Sequence, residues 1–497
     1  MKRFIKFRTI PFYNKTNLGK INMKTSRFNV LIREEDESFL VYNTLRGSIS
    51  RVNPELAQLL KSKDLAPLDN PELVDLVEHL KEQGILIPPR LDELEEYAQM
   101  HRRWKEGREN VEFNALLTYD CNFECPYCYQ GRGEKGQQIH GFKYMGPELL
   151  GATKKFIKKT TAERGAKKLE LVLYGGEPFL PRAREMGREL TEEVSEWARK
   201  NNIAFGLHVL SNGSLIDEDI VKWLSGYGTR LQIPVDGDPE MHNRYRFYKE
   251  DRRGSFEDIA RVLSMTRGTD VETHIRISLT DETYPTMERL LDELKSRDLT
   301  HVYPDFCYIT AFTDACADFE SHTLSDLKLF RVMPELWRKA HERGFPLDIR
   351  PQVQPLPCSS VADGSYIVDS FGEVYKCWEL VGLKEHKVGR IDFDGNLEKT
   401  SVYGDVLERN PVNIEQCKRD SYLPACAGGC VCKAQWQSKT YHAPGCGTEK
   451  YLLKDKVKVY VETLDLSDKP TIQSGPFRLQ KIEGRQQPKM SHCYVLV

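Results

Sequence analysis

Three cysteines, Cys121, Cys125 and Cys128, follow directly on the apolar run Phe113-Asn114-Ala115-Leu116-Leu117. Their spacing is C-x3-C-x2-C, with Tyr129 after the last. Three thiolates on one short loop can hold three irons of a [4Fe–4S] cube, a cluster that normally takes four cysteine ligands. A set one ligand short leaves an iron open for something else, as catalytic zinc sites keep one open position. The fold must therefore bring this strand and its loop to a ligand pocket.

The other thiols are as unevenly placed. Of 13 cysteines none precedes Cys121, and seven fall between Cys358 and Cys446. The basic start, MKRFIKFRTIPFYNK, lacks the apolar stretch of a signal peptide. No apolar run reaches membrane-spanning length, and a formal net charge of −2 gives no nucleic-acid signature. A cytosolic chain with no membrane or nucleic-acid partner is expected. There, grouped cysteines serve more often as metal ligands than as disulfides.

Residues 1–92 read as a separate unit. Two strands over Phe39 to Val52 flank Asn43-Thr44-Leu45-Arg46-Gly47, Asn53-Pro54 and Asn70-Pro71 each start a helix, and Ile85-Leu86-Ile87 adds a strand. That is a winged-helix-like module, either a packing extension or a peptide-binding element. Residues 93–110 form a charged linker helix. Over 111–335 strand-like runs near 113–117, 169–174, 204–210, 231–235, 273–279 and 302–308 alternate with helical segments such as 181–200 and 284–297. Repeated strand–helix units predict an α/β fold, a parallel sheet closing into a partial (β/α)6 barrel of the TIM type. Residues 336–465 change to short segments, glycine turns and cysteines, and 466–497 read as a poorly ordered polar tail.

In parallel barrels the active site is built at the carboxyl ends of the strands. Here the first strand ends at the three cysteines, the second in Gly175-Gly176-Glu177-Pro178, the third in Ser211-Asn212-Gly213 and the fourth in Asp236-Gly237-Asp238. Gly175 and Gly176 allow close backbone approach, and Glu177 can accept from an ammonium group. Ser211 and Asn212 suit a ribose, and Arg276 on the fifth strand suits a carboxylate or a structural ion pair. Ammonium, carboxylate and ribose together are what S-adenosylmethionine presents.

With these motifs in this order, residues 111–310 resemble the radical S-adenosylmethionine enzymes. The resemblance implies that Cys121, Cys125 and Cys128 ligate a [4Fe–4S] cluster whose open iron chelates S-adenosylmethionine. It further implies that Tyr127, Gly175, Gly176, Glu177 and Pro178 contact that cofactor, with Ser211, Asn212, Asp236 and Arg276. The expected chemistry is reductive cleavage to a 5′-deoxyadenosyl radical that takes a hydrogen from substrate, with an electron donor such as flavodoxin or ferredoxin. The stretch Asp236 to Arg246 resembles the fourth-strand segment of peptide-modifying members.

Cys358, then Gly372 and Cys377, then Cys417, Cys426, Cys430 and Cys446 resemble the SPASM extension, which binds auxiliary [4Fe–4S] clusters. Asp420 stands where that pattern has a cysteine. Either Asp420 is a cluster ligand, or that cluster has an open iron or is altered; by correspondence it would use Cys417, Asp420, Cys426 and Cys446. The other would use Cys358, Cys377 and Cys430, its fourth ligand absent or supplied by Cys432; alternatively Cys432 is a buried apolar thiol. Structural zinc is the rival reading of the region. Sulfatase-maturing relatives carry an Asp immediately after the cysteine here numbered 377, where this chain has Trp378. Cys307, Cys316 and Cys493 fit no motif.

The resemblance implies a maturase acting on a ribosomally made precursor peptide, held by the N-terminal module through strand addition. A thioether from a Cys sulfur is the leading product. The competitors are a carbon–carbon cross-link, radical modification of a protein residue or small molecule, and, in another class, a zinc-stabilised peptide-binding protein.

Overall fold

A computed structural model describes residues 22–63, 65–130, 144–309 and 319–487 of the chain. The basic N-terminal stretch, Cys316 and Cys493 lie outside these. The chain divides into two compact units, one comprising residues up to Glu93 with Asp465–Gln487, the other Leu94–Leu464.

In the first unit, β1 (Lys24–Thr25) is followed by β2 (Asn29–Arg33), β3 (Phe39–Asn43) and β4 (Ser48–Val52), the last three forming an antiparallel meander. Helix Pro54–Ser62 starts as its sequence dictates, with Pro at its first turn and the Asn53 side chain accepting from Leu56 N–H. Asn70 caps the turn Pro71–Leu73 that leads into helix Val74–Glu82. β5 (Leu86–Ile87) then pairs antiparallel with β1. Leu56, Leu60, Leu76 and Leu80 from the helices close on Val41 and Val52.

In the second unit, β6 (Asn110–Leu116), β7 (Lys168–Tyr174), β8 (Ala204–Leu210), β9 (Arg230–Pro234), β10 (Glu272–Leu279) and β11 (Tyr303–Tyr308) lie side by side in chain order, every pair parallel. All six fall where the apolar windows put them. The helices between them, such as Pro181–Lys200 and Met287–Ser296, are amphipathic and bury one stripe. Alternation along the strands separates two cores. Phe113, Ala115, Leu171, Leu173, Ile275 and Ile277 pack with the helices. Leu116, Val172 and Tyr174, on the opposite face, pack with Tyr129, Ile367, Tyr375 and Trp378 inside the barrel.

The expected boundary at residue 335 is crossed by the sheet itself. β12 (Ser365–Val368) pairs parallel with β6, Ser365 opposite Glu112. β13 (Glu373–Tyr375), β14 (Gly389–Ile391) and β15 (Leu397–Lys399) extend it to ten strands. The Cys-rich segment is thus continuous with the barrel's first strand, a pairing no local pattern announces.

The predicted tail needs correcting as well. Residues 471–483 form a hairpin, β16 (Thr471–Ser474) and β17 (Phe477–Glu483), and β17 pairs with β4 in the first unit's sheet. Its polar composition hid a two-residue alternation in which Phe477 and Leu479 enter the core beside Val52. Among the described residues no helix is long and apolar enough to cross a membrane.

Candidate active site

The loop after β6 carries the three cysteines, each half-buried. Burial pushes the Cys121 thiol up, and Glu177, Cys125 and Cys128 add to it, so three thiolates persist together only beside compensating positive charge. Donors are already aimed at two sulfurs. Phe123 N–H lies 3.4 Å and Asn212 Nδ2 3.6 Å from Cys121 Sγ, and Arg246 lies 3.8 Å from Cys125 Sγ. Hydrogen bonds to sulfur are among the levers by which proteins hold and tune iron–sulfur clusters. The donor set therefore fits a cluster on Cys121, Cys125 and Cys128.

The second loop is laced to the first by backbone. Gly176 N–H donates to Thr118 O at 2.9 Å and Glu177 N–H to Asp120 O at 2.8 Å. A Cβ on Gly176 would sit 1.9 Å from Asp120 O, and Gly175 has φ +131°, which explains both glycines. Glu177 is fully buried. Its Oε1 accepts from Phe179 N–H at 2.9 Å and Ser211 Oγ at 2.8 Å, and its Oε2 from Asn212 N–H at 2.7 Å. Burial raises its carboxyl to about 7, against the pull of those three donors. The carboxylate, read in sequence as an ammonium acceptor, ties the Gly175–Pro178 loop to the Ser211–Asn212 loop.

Asp236 is likewise spent inside the protein. Its Oδ1 accepts from Ser278 N–H at 3.0 Å, and its Oδ2 from Arg246 Nε at 2.5 Å and from the Tyr127 hydroxyl. Burial alone would raise this carboxyl; the Arg246 charge and the Tyr127 hydroxyl hold it below the usual range. Asp236 N–H donates to His242 Nδ1 at 3.2 Å, and burial takes that imidazole down to about 3, so it stays neutral. Tyr127 and Asp236, expected to touch the cofactor, bond each other, and both lie against Arg246. Arg246 entered the sequence reading only as the end of the Asp236–Arg246 stretch, without a role of its own. It stacks 5.3 Å from the Tyr127 ring centroid and reaches Cys125. An Arg ten residues beyond the strand-end Asp was the available signal.

Arg276 is buried on β10, and among the described residues its Nε and both terminal nitrogens have no partner. Glu379, never singled out in sequence, is buried, and among the described residues neither carboxylate oxygen has a partner. Burial raises its carboxyl to about 8 while the Arg276 charge draws it down.

Two further thiol constellations form downstream. Burial raises the Cys426 thiol, and the charges of Asp420, Cys417 and Cys446 add to it, so these four groups lie within electrostatic reach of one another. Asp420 Oδ2 pairs with Lys450 Nζ at 2.5 Å and Oδ1 accepts from Tyr422 N–H at 2.9 Å. In the second, Cys358, Cys377 and Cys432 are buried in one cluster with Leu356, Val361 and Val431, and Cys430 packs against it. That neighbourhood suits both readings of Cys432, as a fourth ligand and as a buried apolar thiol. Arg409, buried, lies in the fields of Cys417, Cys358 and Cys430 and donates to the carbonyls of Gly428 at 2.8 Å and Ala443 at 2.7 Å. Among the described residues no three His, Cys, Asp or Glu side chains converge on the space of a single metal ion.

Residues 116–294 match the family model described as the Radical SAM superfamily. A cysteine-type anaerobic sulfatase-maturating enzyme of Clostridium novyi (strain NT) is 24% identical over 332 residues, 63% of this chain and 85% of that protein. A radical SAM cyclopropyl synthase, TigE, of Paramaledivibacter caminithermalis is 24% identical over 272 residues, 50% of this chain and 56% of that protein. Among solved structures, native anSMEcpe with bound AdoMet and Cp18Cys peptide superposes with a TM-score of 0.52 at 18% identity, covering 71% of this chain and 96% of that one.

Proposed function

Because the chain carries a radical S-adenosylmethionine domain and is an enzyme of that superfamily, which uses a [4Fe–4S] cluster and S-adenosylmethionine, we propose that it installs a cross-link in a ribosomally made precursor peptide. The observation that carries this reading is the mouth of the barrel, where three thiols of one loop, the Gly175–Gly176 backbone and Asn212 come together. The relatives are a sulfatase-maturating enzyme and a cyclopropyl synthase, and one solved neighbour is described with a Cys peptide, which favours a peptide or protein substrate.

Cys121, Cys125 and Cys128 would hold the cluster. Bound there, the cluster and S-adenosylmethionine supply a 5′-deoxyadenosyl radical for hydrogen abstraction. With the Glu177 carboxylate occupied, the carbonyls of its loop are the acceptors for the ammonium end. Glu177 and Asp236 hold the loops in place, and Arg246 compensates the charge of Cys125. Tyr129 and Tyr174 wall the inner barrel against water.

Closing a cross-link removes two hydrogens overall, and a thioether from a Cys sulfur is the product we favour over a carbon–carbon bond. Auxiliary clusters on the two downstream constellations are the proposed acceptors of the released electron, with flavodoxin or ferredoxin as donor. In the first unit β2 is an edge strand, paired only with β3 among the described residues. A leader peptide would add as a strand there. Anaerobic reconstitution tests the reading. About twelve irons per chain, 5′-deoxyadenosine on reduction and a peptide lighter by two hydrogens support it. A colourless zinc protein that leaves S-adenosylmethionine intact refutes it.

A further inference from the structure

The charges left without partners in the second unit point to a substrate subsite. Arg276 is 3% exposed and Glu379 5% exposed, yet none of the three guanidinium nitrogens and neither carboxylate oxygen has a hydrogen-bond partner among the described residues. Native buried polar groups are almost always satisfied, and an unpaired buried charge is costly. The two feel each other's charge without touching.

Their placement says where they act. Arg276 belongs to β10, opposite Pro234 of β9. Glu379 follows Trp378, whose ring stacks on Tyr174 at the end of β7 with centroids 4.9 Å apart. Two strands, β8 and β9, separate β7 from β10 in the sheet. Only a group inside the barrel is near both. On one side lies Tyr129, the residue after Cys128, whose hydroxyl donates to that of Tyr174 at 3.1 Å. On the other lies Cys377, two residues before Glu379. The pair therefore sits between the strand-end cysteine loop and the second downstream constellation, where a substrate has to be presented to both.

The chemistry of the pair selects its ligand. An amide carbonyl can accept from the Arg276 guanidinium, and the Glu379 carboxyl, which burial raises to about 8, can accept from an N–H whether or not it is ionised. A neutral amide offers an acceptor and a donor at once. We propose that Arg276 and Glu379 form a subsite for a main-chain amide of the substrate, the guanidinium donating to its carbonyl and the carboxylate accepting from its N–H. This rests on the peptide-substrate reading above.

The test uses anaerobically reconstituted full-length protein and the synthetic tripeptide acetyl-Ala-Cys-Ala-amide, titrated in the presence of S-adenosylmethionine. Glu379→Gln and Arg276→Gln are each expected to weaken tripeptide binding about tenfold, with far less effect on S-adenosylmethionine affinity. Ester analogues that replace one amide at a time need no variant. At least one should bind the unaltered protein about tenfold more weakly, and equal affinity throughout overturns the proposal. Loss of S-adenosylmethionine affinity with tripeptide affinity intact also overturns it, assigning the pair to the cofactor. If the unaltered protein binds the tripeptide and neither variant weakens it, the subsite falls while the peptide reading stands. If the unaltered protein does not bind it at all, both fall.

Discussion

Replacing Glu177 by Gln probes the joint between the second and third strand-end loops. The carboxylate accepts two hydrogen bonds on Oε1, from Phe179 N–H and Ser211 Oγ, and one on Oε2 from Asn212 N–H. An amide cannot reproduce this. With its oxygen in the Oε1 place, its NH2 faces the Asn212 N–H; turned over, it faces the Phe179 N–H. Either way a buried backbone donor loses its partner, at about 1–3 kcal/mol. At 1.36 kcal/mol per tenfold, local opening becomes about 5- to 150-fold more frequent. Amide hydrogen exchange resolved at Asn212 and Phe179 reads this directly, without requiring global unfolding. S-adenosylmethionine affinity should fall with it, because Asn212 also reaches Cys121. If neither amide exchanges more than twofold faster in Glu177→Gln, the carboxylate is not the tie between these loops and the reasoning fails.

Gly176→Ala forces a methyl to 1.9 Å from Asp120 O, so the two laced loops must part; equilibrium dialysis should show S-adenosylmethionine binding weakened at least about tenfold, the equivalent of one lost hydrogen bond. Leu479→Ala should destabilise the first unit by about 2–5 kcal/mol in denaturant unfolding, since Leu479 is wholly buried in its core, whereas a loose tail would give no change. His101 and His242 are pushed by burial to about 4 and about 3, below the ordinary 6.5. The unfolded chain therefore binds more protons in that window. Their contribution is complete above pH 6.5 and is lost as pH falls toward 4 and 3. Thermal midpoints measured from pH 7.5 down to 5 should drop, and His242→Asn should flatten the slope.

The barrel was legible because each strand is a short apolar run set off by helical segments, and period and punctuation are local. The same holds for the cysteine loop and the Gly175-Gly176-Glu177-Pro178 turn, whose residue types are dictated by close approach of backbone. What each polar side chain does was not legible. The sequence named Glu177 and Asp236 as ligand-facing carboxylates but gave no sign of the partners they also hold inside the protein, Asn212 and Arg246. The hairpin at 471–483 looked like tail because two core residues, Phe477 and Leu479, carry little compositional weight. Their partners stand more than 400 residues earlier.

From residue order alone come the parallel strands, the thiol loop with its missing fourth ligand, and the two downstream groups of cysteines. Tertiary structure alone decides that β12 continues the barrel sheet, that Cys432 is buried in one cluster with Cys377, and that Glu379 comes within the electrostatic reach of Arg276. The physical reason is range. Periodicity and spacing act over a few residues, whereas desolvation and charge pairing are set by groups that only the closed fold makes neighbours.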